Sequence, residues 1–338
     1  MLFEDSITPK LVGIAKLAAE SDLLEAKARV EYLELETRSF IGRCSGTRMP
    51  FAWTINPYRG CEFGCKYCYA RYAHEFMELR DPVQFERKIY AKHFDATAFR
   101  AELKKVKPGE SICLGSATDP YQPAERRFKI TRGILEVFRK EKARQLGITT
   151  KSDLVARDVD VISEIARKNL ISVNMTITTM DSALARLIEP LAPRPDLRLA
   201  GVRTLTNAGV RVAVLAHPIM PLINDSENGL DALCAAAAEA GAASFSAVPL
   251  FLKPCSKQVF LPFLEQNFPH LVRRYRERYQ ENAYLRGHYP EMLKERVRKI
   301  MERHRLGARY GRDLPPEWPE PDQMGLFAAG EEVLYNIK

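Results

Sequence analysis

From Phe51 onward, short apolar runs alternate with stretches of helical period. The runs are Ala52–Asn56, Ser111–Gly115, Gly147–Thr150, Ile171–Thr178, Val210–Ala216 and Ser244–Leu250. Each is of strand length and too short for an ordinary helix. Helical patterns separate them: near Tyr69–Leu79, near Thr131–Lys142, after the start signal Ser152-Asp153, up to Asn207-Ala208-Gly209, and through an alanine-rich stretch stopped by Gly241. Alternation of this kind predicts parallel βαβ units. Six in a row predict an α/β chain built as a partial (βα)6 barrel of the TIM type, with active groups at the carboxyl ends of the strands. A doubly wound open sheet is the competing topology, and periodicity does not separate the two. Residues 1–50 read as an N-terminal extension, with a helical pattern over Ile14–Leu35 and a loop over Arg38–Pro50. Residues 51–256 form the predicted barrel. The pattern is helical again from Lys257 to Leu306, which gives a basic helical region at 257–312. An extended tail follows at 313–338, Pro-rich from Leu314 to Pro321.

Composition narrows the class. Of the 338 residues, 46% are hydrophobic and 28% charged, so the chain can bury a large core and is not mostly disordered. The longest apolar run, Ala232–Ala238, falls far short of the ~20 residues that cross a bilayer. Glu4 and Asp5 stand where a signal peptide would be basic, so the expected location is cytoplasmic, with no membrane partner. Net charge is +8, and the excess is local: His270–Asp313 holds 13 Lys/Arg against 6 Asp/Glu. Such a stretch attracts phosphate. In Arg273–Tyr279 arginines alternate with tyrosines that could stack on nucleic-acid bases. Tyr275 and Tyr279 are also four residues apart, so one apolar helix face accounts for them equally well. Tyr284, Tyr289 and Tyr310 extend the pattern.

The seven cysteines are unevenly placed. Cys61, Cys65 and Cys68 form Cys-x3-Cys-x2-Cys, with Tyr67 before the last. Three thiolates on one short loop can bind three irons of a cubane cluster. No fourth cysteine lies nearby, which leaves the fourth iron open to a small molecule carrying an amine and a carboxylate. Gly60 and Gly64 permit the turns such a loop needs. Zinc, with His74 as fourth ligand, is the other reading. Cys44, Cys113, Cys234 and Cys255 are scattered.

This motif, placed after the first of six βα units, resembles that of the radical S-adenosylmethionine (radical SAM) superfamily. Longer blocks resemble its branch related to spore photoproduct lyase: Met49-Pro50-Phe51, Asn56 to Cys61, Thr118 to Glu125, Thr150-Lys151-Ser152 and Glu189 to Pro193. The resemblance spans residues 40–300. It implies a [4Fe-4S] cluster on Cys61, Cys65 and Cys68, S-adenosyl-L-methionine as cofactor, and a reductant such as flavodoxin or ferredoxin. It also implies cleavage of the cofactor to a 5′-deoxyadenosyl radical that takes a hydrogen atom from the substrate. Carried over residue by residue, it sets the backbone of Tyr67 near the adenine. Ser116, Thr118 and Asp119 fall in the motif near the methionine amino group. Lys151 would pair with the methionine carboxylate, and the Thr176 hydroxyl would meet the same group. Asp119 before Pro120 also suits a turn, and Lys151 a surface position.

The pattern departs from that branch at one point. The block that begins with a hydrogen-donating cysteine in spore photoproduct lyase is Ser116-Ala117-Thr118-Asp119 here. A serine O–H bond is too strong for that role, so repair of spore photoproduct by that route is not expected. Cys255, just past the sixth strand, is the candidate relay thiol, or otherwise a buried, inert cysteine. No cysteine follows it, which argues against auxiliary clusters. The implied substrate is nucleic acid, with a base repaired or modified. The alternatives are a peptide or small metabolite, or a metal-binding protein without catalysis. In the tail, Gln323-Met324-Gly325-Leu326-Phe327 resembles the peptide by which bacterial repair proteins dock on the replication sliding clamp.

Overall fold

The computed structural model describes residues 11–26, 29–45, 49–307 and 314–318. Among them, eleven strands follow in chain order: β1 (Leu23–Ala26), β2 (Glu31–Leu35), β3 (Ile41–Arg43), β4 (Trp53–Ile55), β5 (Tyr58–Arg59), β6 (Lys88–Lys92), β7 (Ser111–Leu114), β8 (Gln145–Thr150), β9 (Leu170–Thr176), β10 (Arg211–Ile219) and β11 (Ser244–Pro249). The six apolar runs are β4 and β7 to β11. They pair in parallel and in strict chain order, with β3 antiparallel on the outer edge of β4. A doubly wound sheet must reverse its strand order at a switch point. This order never reverses, so the competing topology is excluded and the architecture is mixed α/β around a parallel sheet. The alternation read in the sequence is real: Leu146, Ile148 and Thr150 on β8 are buried, as are Ile171, Val173 and Met175 on β9. The intervening helices Ile130–Phe138, Val159–Ala166, Pro195–Asn207 and Glu227–Glu239 carry Ile134, Ile162, Val202 and Leu233 into the same core. Ser152 does cap its segment, but a 3-10 turn, Asp153–Asp158, precedes the α-helix there.

Three sequence expectations are corrected. The first is the loop over Arg38–Pro50, where Ile41–Arg43 forms β3 and pairs antiparallel with β4. The pattern over Ile14–Leu35 is not one helix. The helix covers only Gly13–Ala19, and β1 and β2 follow. Ser21 Oγ donates to the Leu17 carbonyl at 2.8 Å just past its end. Beyond it, β2 pairs in parallel with β6 in the register Tyr32↔Ile89. Tertiary pairing overrides a weak helical period, and the result is a second sheet ordered β1-β2-β6-β5.

The basic segment after Lys257 is also not one helical run. Helices Pro254–Asn267, Val272–Arg278 and His288–Arg303 are separated by a short turn and by residues 279–287. Tyr275 and Tyr279 are buried there and stack on each other with ring centres 5.9 Å apart. Their hydroxyls donate to the Pro221 and Leu250 carbonyls, each at 2.8 Å. They are packing residues, not base platforms. With Phe260, Phe263 and Leu264 they form a cluster that also contains Phe63, Cys65 and Tyr67, so the C-terminal helices cover the cysteine loop. Tyr310 and the Gln323–Phe327 peptide lie outside the described residues. Among the described residues no helix is long and apolar enough to cross a membrane.

Tyr275→Ala should destabilise the fold by about 3–5 kcal/mol, the usual cost of deleting a large buried aromatic. Urea unfolding measures this. A variant as stable as the wild type would return Tyr275 to the surface.

Candidate active site

The carboxyl ends of β4 and β7 to β11 open on one cavity of about 280 Å³. Its wall brings together nearly all the residues singled out in the sequence. Cys61, Cys65, Tyr67 and Cys68 come from the loop after β4 and β5. Ser116, Thr118 and Asp119 follow β7. Lys151 follows β8, Thr176 ends β9, and His217 lies on β10. Cys255 is not among the lining residues. It lies in the first turn of the Pro254–Asn267 helix, buried, with Sγ 3.8 Å from the Tyr69 carbonyl oxygen.

The cysteine loop is fixed on both flanks by groups of the chain itself. At its start, Gly60 has φ +85°, and a Cβ there would stand 2.6 Å from the Lys88 carbonyl oxygen, so only glycine fits. The Gly60 carbonyl accepts from Thr118 Oγ1 at 2.6 Å and Gln122 Nε2 at 3.1 Å. Next to Cys61, buried Glu62 accepts from Tyr32 Oη at 2.9 Å and the Ala124 amide at 2.8 Å. On the other flank, the Lys66 amide donates to the Ile188 carbonyl at 2.9 Å. The Tyr67 hydroxyl donates to Glu189, which forms a fully buried ion pair of 2.6 Å with Arg198. Arg198 in turn donates to the Thr176 carbonyl at 3.0 Å. Burial alone would raise the Glu189 carboxyl, but Arg198, Lys151 and the Tyr67 hydroxyl outweigh it and hold the group below the ordinary value.

Around the cavity the charges are asymmetric. Burial pushes the Cys65 thiol up to about 12, although Lys151 opposes it, and burial raises Cys61 likewise. Both are therefore thiols until an electron-deficient partner binds. Burial works against the Lys151 ammonium, but Cys65 once ionised, and the Glu189 and Asp119 carboxylates, outweigh it and raise its affinity for the proton. Asp119 accepts from Thr150 Oγ1 at 2.6 Å and from the amides of Lys151 and Tyr121 at 2.8 and 2.9 Å. That uses three of a carboxylate's roughly four acceptor positions. Ser116 Oγ is bonded to Thr54 Oγ1 and accepts from Asn56 Nδ2 at 3.1 Å, which fixes it to the end of β4.

Three thiols, Cys61, Cys65 and Cys68, line one cavity. Among the described residues no three His, Cys, Asp or Glu side chains converge as a single-ion site. Zinc would draw its sulfurs to ~2.3 Å from one point, whereas a cubane gives each thiolate its own iron. His74 is not placed to complete a zinc site. Its Nε2 lies 3.0 Å from the Lys88 carbonyl oxygen, its ring packs edge-on against Phe85 and Tyr90, and it does not line the cavity.

A family model described as the Radical SAM superfamily matches residues 55–232. The chain belongs to the radical SAM superfamily. It is thus an enzyme of the class that works with a [4Fe-4S] cluster and S-adenosyl-L-methionine. An uncharacterized protein of Mycobacterium tuberculosis is 36% identical over 283 residues, which cover 82% of this chain and 83% of that protein. One from Methanocaldococcus jannaschii is 30% identical over 205 residues, covering 59% and 72%. Among solved structures, spore photoproduct lyase complexed with dinucleoside spore photoproduct has a TM-score of 0.61 at 15% identity, over 85% of this chain and 80% of that one. The two share a fold.

Sequence reasoning gave this radical SAM chain no structural role for Glu189 or Arg198. An acid inside Ile188-Glu189-Pro190-Leu191-Ala192 was the available signal, because a carboxylate in an apolar run needs a partner. Arg198 carried none. His217 donates to or accepts from Ser246 Oγ at 2.9 Å at the back of the cavity.

Burial holds both His74 and His217 down to about 4, from 6.5. As pH falls, the unfolded chain takes up these protons before the folded one does. The stabilisation is therefore complete above pH 6.5 and is lost as pH falls toward 4. The expected slope is up to about 1.4 kcal/mol per pH unit for each histidine. Urea unfolding between pH 7.5 and 5 should show it, and His217→Gln should flatten it. An equal slope in that variant would contradict the assignment.

Proposed function

We propose that Cys61, Cys65 and Cys68 hold the cluster and that this enzyme acts on nucleic acid, repairing or modifying a base. The six parallel strands are read as an incomplete barrel over residues 51–256, with residues 257–312 as its basic cover. The observation that carries the reading is the composition of one cavity wall: three thiols, an ammonium and a nearly saturated carboxylate at the strand ends. Together the cluster and S-adenosyl-L-methionine supply one-electron chemistry that removes a hydrogen atom from a substrate C–H.

This chain's own residues do the rest. The three thiols give up their protons on loading, and the Lys151 ammonium compensates the added negative charge. Lys151 also suits the cofactor's carboxylate, and the remaining acceptor position of Asp119 suits its amine. The Thr176, Thr118 and Ser116 hydroxyls line the same wall, and Phe63, Tyr67 and Phe251 keep it apolar and exclude water. A small electron carrier such as flavodoxin or ferredoxin supplies the electron. Cys255 stands one layer behind Tyr69, so its service as hydrogen donor requires the Tyr69 contact to open. Two observations support a nucleic-acid substrate: the fold shared with a lyase whose structure holds a dinucleoside, and the +8 charge concentrated in the cover.

Protein reconstituted without oxygen should bind about four irons, as a cubane requires. Once reduced, it should release 5′-deoxyadenosine from S-adenosyl-L-methionine. Stoichiometric zinc in anaerobically purified protein, with no release, would overturn the assignment.

Lys151→Ala should weaken cofactor binding by about 1.5–3 kcal/mol, the usual worth of a hydrogen bond to a charged group. The cluster's visible absorption should persist. Unchanged affinity in calorimetry would move the cofactor carboxylate elsewhere.

A further inference from the structure

The cysteine loop is enclosed on several sides. Its inner side is the cavity wall, Phe260, Phe263 and Tyr275 pack over a second side, and Glu62 ties a third to the second sheet. Two further segments are bonded to the loop's backbone and reach solvent. The Cys61 amide donates to the Phe85 carbonyl at 2.9 Å, in the helix Gln84–Arg87. The Lys66 amide donates to the Ile188 carbonyl at 2.9 Å and the Leu191 amide to the Phe63 carbonyl at 3.2 Å, where the helix Ser182–Ile188 ends. The side chains they turn outward are apolar and basic. Leu187 and Leu191 are 43% and 59% exposed. Arg87 and Arg186 are exposed and Lys66 is half-buried, and none of the three has an acidic partner among the described residues. The acids on the same segments are engaged. Glu86 faces Arg71 at 2.9 Å, Glu189 pairs with Arg198, and Asp181 accepts from the Ala183 and Leu184 amides. None of the five outward residues lines the active cavity.

We propose that Leu187 and Leu191, with Lys66, Arg87 and Arg186, form the docking face for a small acidic electron-carrier protein. The inference rests on the cluster assignment above and locates the partner of that site. One electron crosses the contact: the carrier is oxidised by one electron, the cluster is reduced by one, and no atom passes between them. Electron tunnelling weakens steeply with distance, so the carrier must stand against the backbone that holds the cluster. Both segments touch that backbone through single hydrogen bonds. Apolar contacts with a polar rim are the build of a transient interface. Cations without internal partners steer an acidic protein onto such a face and set its orientation. Because the face lies outside the cavity, carrier and substrate can be bound at the same time.

The test uses the full chain loaded without oxygen, with a flavodoxin and a ferredoxin as probes. Calorimetry reads the binding of each oxidised carrier at several salt concentrations. Release of 5′-deoxyadenosine is measured separately with the reduced carrier and with dithionite. Arg87→Gln/Arg186→Gln should weaken carrier binding about 2- to 30-fold at low salt, and the loss should shrink as salt rises. Leu187→Ser/Leu191→Ser should weaken it about tenfold at every salt concentration. Dithionite needs no docking face, so with it both variants should match the wild type. Lys104→Gln/Lys105→Gln, exposed just before β7 at the far end of the sheet, is the control and should change nothing. If a carrier binds the wild type and both variants alike, or the control weakens binding as much as the arginine pair, the docking face falls while the assigned chemistry stands. The same holds if neither carrier binds a wild type that dithionite activates. If a variant loses release equally with dithionite, its residues support the loop and not a partner, and the proposal is overturned. If the wild type releases nothing with any reductant, the assigned chemistry falls too.

Discussion

One buried carboxylate determines where the chemistry stands. Glu189 is out of contact with water, and an unpaired charge there would cost several kcal/mol. Arg198 neutralises it, while the hydroxyls of Tyr67 and Thr178 donate to it. Since Arg198 also holds the Thr176 carbonyl, the end of β9, the cysteine loop and the segment before the Pro195–Asn207 helix are one mechanical unit. Moving any of the three would leave a charge or a donor unmatched in a dry interior. Glu62 does the same on the opposite flank, tying the loop to Tyr32 of the second sheet and to the Ala124 amide. The loop is thus suspended between two carboxylates rather than resting on one surface.

The same dryness sets the electrostatics of the cavity. The C-terminal helices press Phe260, Phe263, Tyr275 and Tyr279 into the cluster that contains Cys65 and Tyr67. Water is kept from one side of the loop, so fields at the wall are weakly screened. Lys151 keeps its proton against the burial penalty because the Glu189 and Asp119 carboxylates face it. His217, disfavoured as a cation by burial and by the nearby Lys151 ammonium, loses its proton instead. Two basic side chains on one cavity wall therefore carry different charges, and the neighbouring acids decide which is which.

Much of this was legible in the sequence, and the illegible parts share a cause. A strand buried on alternate residues announces itself by period, so all six strands of the parallel sheet could be read, as could the cysteine loop at the end of the first. The second sheet could not. Its β2 lies inside a stretch where the spacing of Leu24 and Leu35 mimics a helix, and it pairs with β6, a segment distant in the chain. Tyr275 and Tyr279 illustrate the same limit, because a four-residue spacing defines a face without saying whether protein or solvent lies against it. Cys255 follows its strand as an active-site residue would, yet the helix it opens turns the thiol toward a backbone carbonyl outside the cavity. Periodicity reports which residues share a face; the partner on that face is set by distant chain.

The double suspension of the loop has a consequence for how the chain tolerates change. Its two anchors draw their partners from different parts of the fold: Glu62 from Tyr32 and the Ala124 amide, Glu189 from Arg198 and Thr178. Sites that share no partner act nearly independently. A substitution beside one tether therefore leaves the other in place, and the loop comes adrift only where both are lost together.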